Sequence, residues 1–412
     1  MTNRFSGNRV IVLIFWVLAF AAIPFWTHID TPAWDMDIYR AGLHSLRAGH
    51  DPYADGMAVQ RDFHAHLAEH PTAAPPYTYV YSPITLPLLR LLGSIPAPLI
   101  TGLYWLLYMA GILAQIWVVM QATKPEEWKY FEFLAPVAAF FPGLLVLDVA
   151  LSGNVAYICY GLLFATALLG WRRGQWFWFY VAIVIASCFK GPFLSLLAIP
   201  VLSARRQWVP AGVTGVIGVS LFAMQPYVWP ELFRSYLQAV ELQFSYNRDF
   251  GVSPAGIFGR VITYMGHSYS PACTIFYLLY VIPLFGLLLY FSREFLKGKF
   301  SLEQWMPVLL MGVILLNPRI MPYDIAPMSL PMALMGWRFL RAYTSVGKTI
   351  TILGVFFVVT NAVALGNPDS NRIDLWKFIE GFEIVLFFAA GCWNLLRRQN
   401  ENVAVPARTA MG

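Results

Sequence analysis

Apolar runs close to the thickness of a bilayer recur along the whole of this sequence, and they constrain its fold more than any other feature. A chain that is 58% hydrophobic and 12% charged, with mean hydropathy +0.59, has too little polar surface to cover a soluble globule of 412 residues. It is expected to cross a membrane many times. Lipid offers backbone amides no partner, and the runs are continuous rather than alternating, so the spans are expected to be α-helices and not barrel strands. The first run, Val10 to Trp26, is too long for a removable signal and lacks a small-residue cleavage site, so it reads as a first span.

Apolar windows and their breaks place spans near 9–27, 98–120, 131–150, 154–170, 176–189, 191–203, 209–228, 273–291, 304–317, 325–340, 348–366 and 376–396, about twelve in all. The expected fold is thus an all-α polytopic bundle, a single integral membrane domain over 1–412 with both termini on one side. Arg4, Arg9, Lys124, Lys129, Arg172, Arg173, Arg205, Arg206, Arg293, Lys297, Lys299, Arg338, Arg341, Lys348, Arg397 and Arg398 all fall in alternate connections, which marks those connections and the tail 397–412 as cytoplasmic. Two long loops, 28–97 and 229–272, then share the extracytoplasmic face with the short connections at 151–153, 190, 318–324 and 367–375. Spans 176–189, 191–203 and 304–317 are short, and Pro192, Pro318, Pro322 and Pro327 lie at or near span ends. Broken helices of that kind are tolerated where protein or a water-filled cavity covers the freed backbone groups, so a central cavity is expected.

Other classes find little support. Cys159, Cys188, Cys273 and Cys392 are scattered without CxxC spacing, against a disulfide framework or a thiolate metal site. The net charge of +6 comes mostly from the cytoplasmic connections, and no basic tract interleaved with aromatics suggests nucleic acid as a partner.

The first outer loop is the most chemically loaded stretch, with acids and histidines where bilayer meets water. Met36, Tyr39, Leu43 and Leu46 recur at helical spacing after Asp35, Gly49 offers a left-handed stop and Pro52 follows, so a short amphipathic helix is expected to lie at the interface. As ordinary helix features, Asp35 would be its N-cap and Asp37 a first-turn acid. As functional groups, one of them would be a general base, because acids beside an apolar surface are costly unless solvated or partnered.

The run Asp35-Met-Asp37-Ile-Tyr39-x-Ala-Gly42, then Leu46-x-Ala-Gly49-x-Asp-Pro52-Tyr53, then Tyr79-Val-Tyr81-Ser-Pro83, resembles the signature of polyprenyl-phosphate-sugar-dependent glycosyltransferases of the GT-C superfamily, specifically glycosyltransferase family 87. Phe189-Lys190-Gly-Pro192 is similar to that family's Lys-x-x-Pro segment, and Asn317-Pro-Arg319 followed by Pro322-Tyr323-Asp324 is similar to its late outer motif. Where the family has a Gly-Gln-x-Asn-like turn this chain reads Ser152-Gly153-Asn154, and where it has Tyr-Pro-Pro this chain reads Tyr81-Ser82-Pro83.

The resemblance implies a GT-C bundle whose first outer loop carries interfacial helices and a catalytic acid. It implies a polyprenyl monophosphate sugar as donor, most often mannose or a pentose, and a hydroxyl of a glycolipid or envelope glycan as acceptor. The reaction would invert the anomeric centre at the outer face of the bacterial inner membrane. Asp35, with Asp37 beside it, would supply the base; Lys190 and Arg319 would hold the donor phosphate; Tyr39, Tyr81, Asn154, Asn247, Tyr323 and Asp324 would contact substrate. No metal or other cofactor is implied. Each residue also has a plainer reading: Lys190 as a snorkelling helix end, Arg319 and Asp324 as a structural ion pair, Tyr323 as an interfacial belt aromatic, and Asn247, Arg248 and His267 as solvated loop residues.

Six of the seven histidines, His28, His44, His50, His64, His66 and His70, fall in the first outer loop, and His66-Leu-Ala-Glu69-His70 spells the H-x-x-E-H pattern of a zinc peptidase class. The pattern is short and no spacing marks a third ligand, so a solvated, pH-sensitive segment is the preferred reading. A transporter or flippase of a lipid-linked substrate would fit the spans and cavity, but the chain has no halves that resemble each other.

Overall fold

The structure, a computed structural model, describes residues 34–66, 76, 78–124, 127, 153–247, 251–267, 271–366 and 375–404. The expected spans at 9–27 and 131–150 lie outside the described residues, as do His28, Glu69, His70 and Arg248. Among the described residues the chain is helical with no strand.

The first long loop supplies α1 (Trp34–Arg47), α2 (Pro52–Ala65) and the short α3 (Leu86–Leu92). The bundle follows with α4 (Ala97–Met120), α5 (Ala156–Arg173), α6 (Phe177–Phe189), a 3-10 turn at Gly191–Leu197, α7 (Ala198–Ser203) and α8 (Trp208–Ala223). The second loop carries α9 (Gln225–Val228), α10 (Pro230–Asn247) and α11 (Pro254–Tyr264). The remainder is α12 (Pro271–Leu296), α13 (Leu302–Leu315), α14 (Pro322–Ile325), α15 (Ser329–Arg341), α16 (Val346–Gly366) and α17 (Leu375–Ala404). Among the described residues four stretches, Pro98–Met120, Trp208–Val228, Pro271–Leu296 and Phe378–Gln399, are long and apolar enough to cross a membrane, and several shorter apolar helices lie among them. The expected span at 191–203 is not one helix. Pro192 stands at the start of a 3-10 stretch that turns into α7 only at Ala198, consistent with the broken geometry expected at such a proline.

Polar contacts sort the ends of the helices into two sets. At one end Trp171 Nε1 donates to Ser203 Oγ at 2.7 Å, Tyr180 OH to Gln207 Oε1 at 2.9 Å, Arg205 to Leu296 O at 3.1 Å and Arg397 to Ala342 O at 3.2 Å. Arg338 joins the same end, donating to Glu127 through Nε and Nη2 at 2.7 Å each and to the carbonyls of Glu303 and Ala122. Arg205 and Arg338 therefore lie at one end of the bundle, with Arg397. At the other end Ser82 Oγ donates to Cys188 O at 3.2 Å, Ile84 N to Gln225 Oε1 at 3.1 Å, and Val252 N to Ile320 O at 2.7 Å, so both long loops meet the short connections there.

Two cores hold these ends. The larger runs through α4 to α7 and α12 to α17, with Trp305, Phe164, Phe179 and Phe291 fully buried. α4 and α5 approach at their glycines: a Cβ on Gly161 would stand 2.3 Å from the Gly111 Cα, a distance only a residue without a side chain tolerates. The smaller core lies under the two long loops, where Tyr53, Tyr79, Tyr81 and Leu86 from the first loop pack with Ala239 and Tyr236 from α10. Tyr53 is fully buried there and donates to Tyr81 O at 2.6 Å, which ties α2 to the extended segment before Pro83.

Candidate active site

α1 forms because its apolar positions recur at helical spacing, with Met36 and Ile38 buried, and it ends before Gly49, whose φ is 78°. α2 starts immediately after: Asp51 caps it, accepting from Tyr53 N at 2.9 Å, with Pro52 in the first turn. One correction concerns Asp35. The helix begins at Trp34, so Asp35 lies inside the first turn and is not the N-cap.

From there Asp35 reaches across to the bundle, where Asn154 Nδ2 donates to Asp35 Oδ2 at 3.0 Å. Asn154 is buried and stands in the turn that opens α5, preceded by Gly153 with φ 70°, a left-handed conformation that glycine adopts without steric cost. Its Oδ1 accepts from Ala156 N at 2.9 Å and from Lys190 Nζ at 2.8 Å. Lys190 terminates α6 in extended conformation, so its side chain leaves the helix and crosses to α5. Its ammonium also stands over the Tyr323 ring, 3.5 Å from the centroid.

Tyr39, one turn after Asp35, completes the contact with the same turn. Val155 N donates to Tyr39 OH at 3.3 Å, and the hydroxyls of Tyr39 and Tyr81 share a hydrogen bond of 2.7 Å. Burial pushes both phenols well above their usual range and Asp35 adds to the effect, although the hydrogen bond from Tyr39 pulls Tyr81 back, so both hydroxyls stay protonated. On the far side Asp324, buried at the start of α14, accepts from Tyr160 OH at 2.8 Å and from Met321 N at 3.0 Å. Burial raises its carboxyl above the ordinary value, although Lys190, these two donors and Arg319 all pull it down.

Lys190 feels the opposite balance. Removal from water pushes its ammonium down to about 8, against the pull of Asp324 and Asp35, while Arg319 adds to the depression. Arg319 itself is exposed at the edge of the cluster, its backbone N donating to Asn317 Oδ1 at 3.1 Å.

Eight of the sequence candidates, Asp35, Tyr39, Tyr81, Asn154, Lys190, Arg319, Tyr323 and Asp324, therefore meet in one neighbourhood. Asp37 does not join them. It pairs on the exposed side of α1 with Arg40 at 3.0 Å. Asn247 is the last residue of α10 and its side chain lies outside the described residues; His267 is exposed beyond the end of α11. Tyr323 lies under Lys190, and the Asp324 carboxylate takes Tyr160 and the Met321 amide as its hydrogen-bond donors.

Sequence reasoning missed Tyr160 and Tyr104. Tyr160 holds Asp324, and Tyr104 from α4 stands 6.4 Å from the Tyr39 ring. Both sit inside apolar helices, where the only signal is a hydroxyl within the first turns of a span. Among the described residues no group of three or more His, Cys, Asp or Glu side chains is arranged to hold a metal ion, and the His66-x-x-Glu69-His70 pattern is described only at His66. No family model matches the sequence and no curated protein matches it, so the likeness to the GT-C transferases rests on the quoted motifs.

Proposed function

We propose that the chain is an inverting glycosyltransferase of GT-C type that moves a sugar, mannose as the first expectation, from a polyprenyl monophosphate to a hydroxyl of a glycolipid or cell-envelope glycan. In this reading the bundle has about twelve spans in the bacterial inner membrane, with both termini cytoplasmic and the two long loops outside. The observation that carries it is the Asp35–Asn154–Lys190 chain: a carboxylate and an ammonium within one amide of each other, at the end of the bundle where both loops meet.

The chemistry asks for little more. The acceptor oxygen attacks the anomeric carbon as the bond from that carbon to the phosphate oxygen breaks, and the acceptor proton passes to the Asp35 carboxylate. The polyprenyl phosphate leaves as a dianion, held by Lys190 and by Arg319 at the rim. Tyr39 and Tyr81 offer neutral hydroxyls, and Tyr323 a further hydroxyl, for a sugar. Asp35 is preferred over Asp37 as the base because Asp37 is spent on a surface pair with Arg40. The mechanism needs no metal.

The test is purified protein in nanodiscs with a panel of radiolabelled polyprenyl-phosphate sugars and a lipid extract of the source cell. Labelled glycolipid is expected with wild type, with and without chelator, and not with Asp35→Asn. Transfer that survives Asp35→Asn, or no transfer from any donor, overturns the reading. Movement of a lipid-linked substrate without a covalent product would indicate transport instead.

A further inference from the structure

Asn154 lies between two charges that would otherwise pair. Its Oδ1 takes Lys190 Nζ at 2.8 Å and Ala156 N at 2.9 Å, and its Nδ2 faces Asp35 Oδ2 at 3.0 Å. The amide has one acceptable orientation: turned over, its NH2 would oppose two donors and its oxygen would oppose a carboxylate. Since Ala156 N belongs to the first turn of α5, the helix itself sets the orientation, and the two side chains follow it.

A direct Lys190–Asp35 salt bridge would spend both groups on each other. The carboxylate would become a weaker base, and the ammonium would have less of its field left for a phosphate. An amide between them hydrogen-bonds each while keeping them apart. We infer that Asn154 is a positioning residue, whose amide holds the Asp35 carboxylate and the Lys190 ammonium at a set separation so that neither neutralises the other, and which does not itself contact substrate. The inference rests on the transferase reading. Among the described residues the groups facing this trio include Tyr39 from α1, Tyr81 from the segment after α2, Tyr104 from α4, Cys159 and Tyr160 from α5, and Arg319, Tyr323 and Asp324 from the connection around α14.

Asn154→Asp changes one donor nitrogen to oxygen with no change of shape, so it separates chemistry from folding. Two carboxylates would then face each other and share a proton, and the acid limb of the kcat profile should move to higher pH by about one unit or more. Asn154→Ala should lower kcat by about tenfold to a hundredfold at neutral pH, the range seen when a supporting hydrogen-bond partner is removed from a reactive site, with donor KM little changed. An unshifted acid limb in Asn154→Asp, or a loss confined to donor KM in Asn154→Ala, overturns the inference.

A second readout needs no turnover: the pH midpoint for acylation of Lys190 by a small amine reagent, followed by peptide mass spectrometry. The midpoint should rise in Asn154→Asp, where a negative charge replaces the amide, and it should move in Asn154→Ala. Midpoints equal to wild type in both variants overturn the inference. If wild type transfers no sugar, the transferase reading fails on its own, and the Lys190 midpoints still decide whether Asn154 couples the two charges.

Discussion

Lys190 holds its ammonium 3.5 Å from the centroid of the Tyr323 ring while donating to Asn154 Oδ1 at 2.8 Å. One side chain thus joins the end of α6, the start of α5 and the turn before α15. The ring face and the amide oxygen stabilise the cation without cancelling its charge.

The depressed Lys190 ammonium predicts an alkaline limit on activity. Its folded value is about 8, so the cation is fully present below that pH and is lost as pH rises through it. Donor-dependent transfer should fall above about pH 8 in wild type, read from kcat/KM against pH. Lys190→Met should lose most activity at every pH and show no such limb, whereas a limb that persists in Lys190→Met would assign it to another group.

Tyr39→Phe removes the acceptor of Val155 N and the partner of the Tyr81 hydroxyl. Unfolding should become easier by about 1 kcal/mol, the usual net worth of such a bond, measured as a lower thermal midpoint in detergent. Because the same bond anchors the turn carrying Asn154, kcat should fall as well. Unchanged kcat would show that the turn holds its place without Tyr39.

Gly161→Val tests the close approach of α4 and α5. The added side chain would meet the Gly111 backbone, with its Cβ 2.3 Å from Cα, and backbone cannot rotate away as a side chain does. Overpacking of this kind costs about 1–3 kcal/mol, so thermal stability should drop markedly. Gly111→Val should do the same, since a Cβ there meets Tyr157 O at 2.7 Å.

Arg338 and Glu127 lock the opposite end of the bundle through a bidentate pair with side chains 10% and 9% exposed. Burial alone would raise the Glu127 carboxyl, but hydrogen bonds and charge from Arg338 hold it below its ordinary value. A depressed carboxyl contributes stability that is present above the ordinary carboxylate range and lost as pH falls through the folded value. Arg338→Met should cost about 3–5 kcal/mol by leaving the carboxylate buried without its partner. Adding Glu127→Leu should recover much of that loss, measured by chemical unfolding of the single and double variants.

How far the sequence could be read depended on the range of the physics involved. The amphipathic helix after Asp35 was legible, because apolar spacing over one segment and the Gly49 stop are local signals, and the structure has it at Trp34–Arg47. Expected helices at 98–120 and 176–189 match α4 and α6 within two residues for the same reason. The break at Pro192 was legible as a break, but its 3-10 geometry was not. In the site, residue types and motif order singled out Asp35, Lys190 and Asp324, whereas Tyr160 looked like any apolar-helix tyrosine. Its contact with Asp324 spans 164 positions, and no local pattern encodes it.

By itself the sequence determined that this protein is helical and strongly apolar, with its chemistry-bearing residues in a few polar interruptions. Hydropathy and backbone hydrogen bonding act within a segment, and composition records them directly. Only the tertiary structure decided that Asp35 turns to the bundle while Asp37 turns to Arg40, although the two are separated by a single residue. That choice depends on which face of α1 the Tyr39–Tyr81 pair and the Asn154 turn cover, and side chains that far apart in the chain become neighbours only when the helices pack.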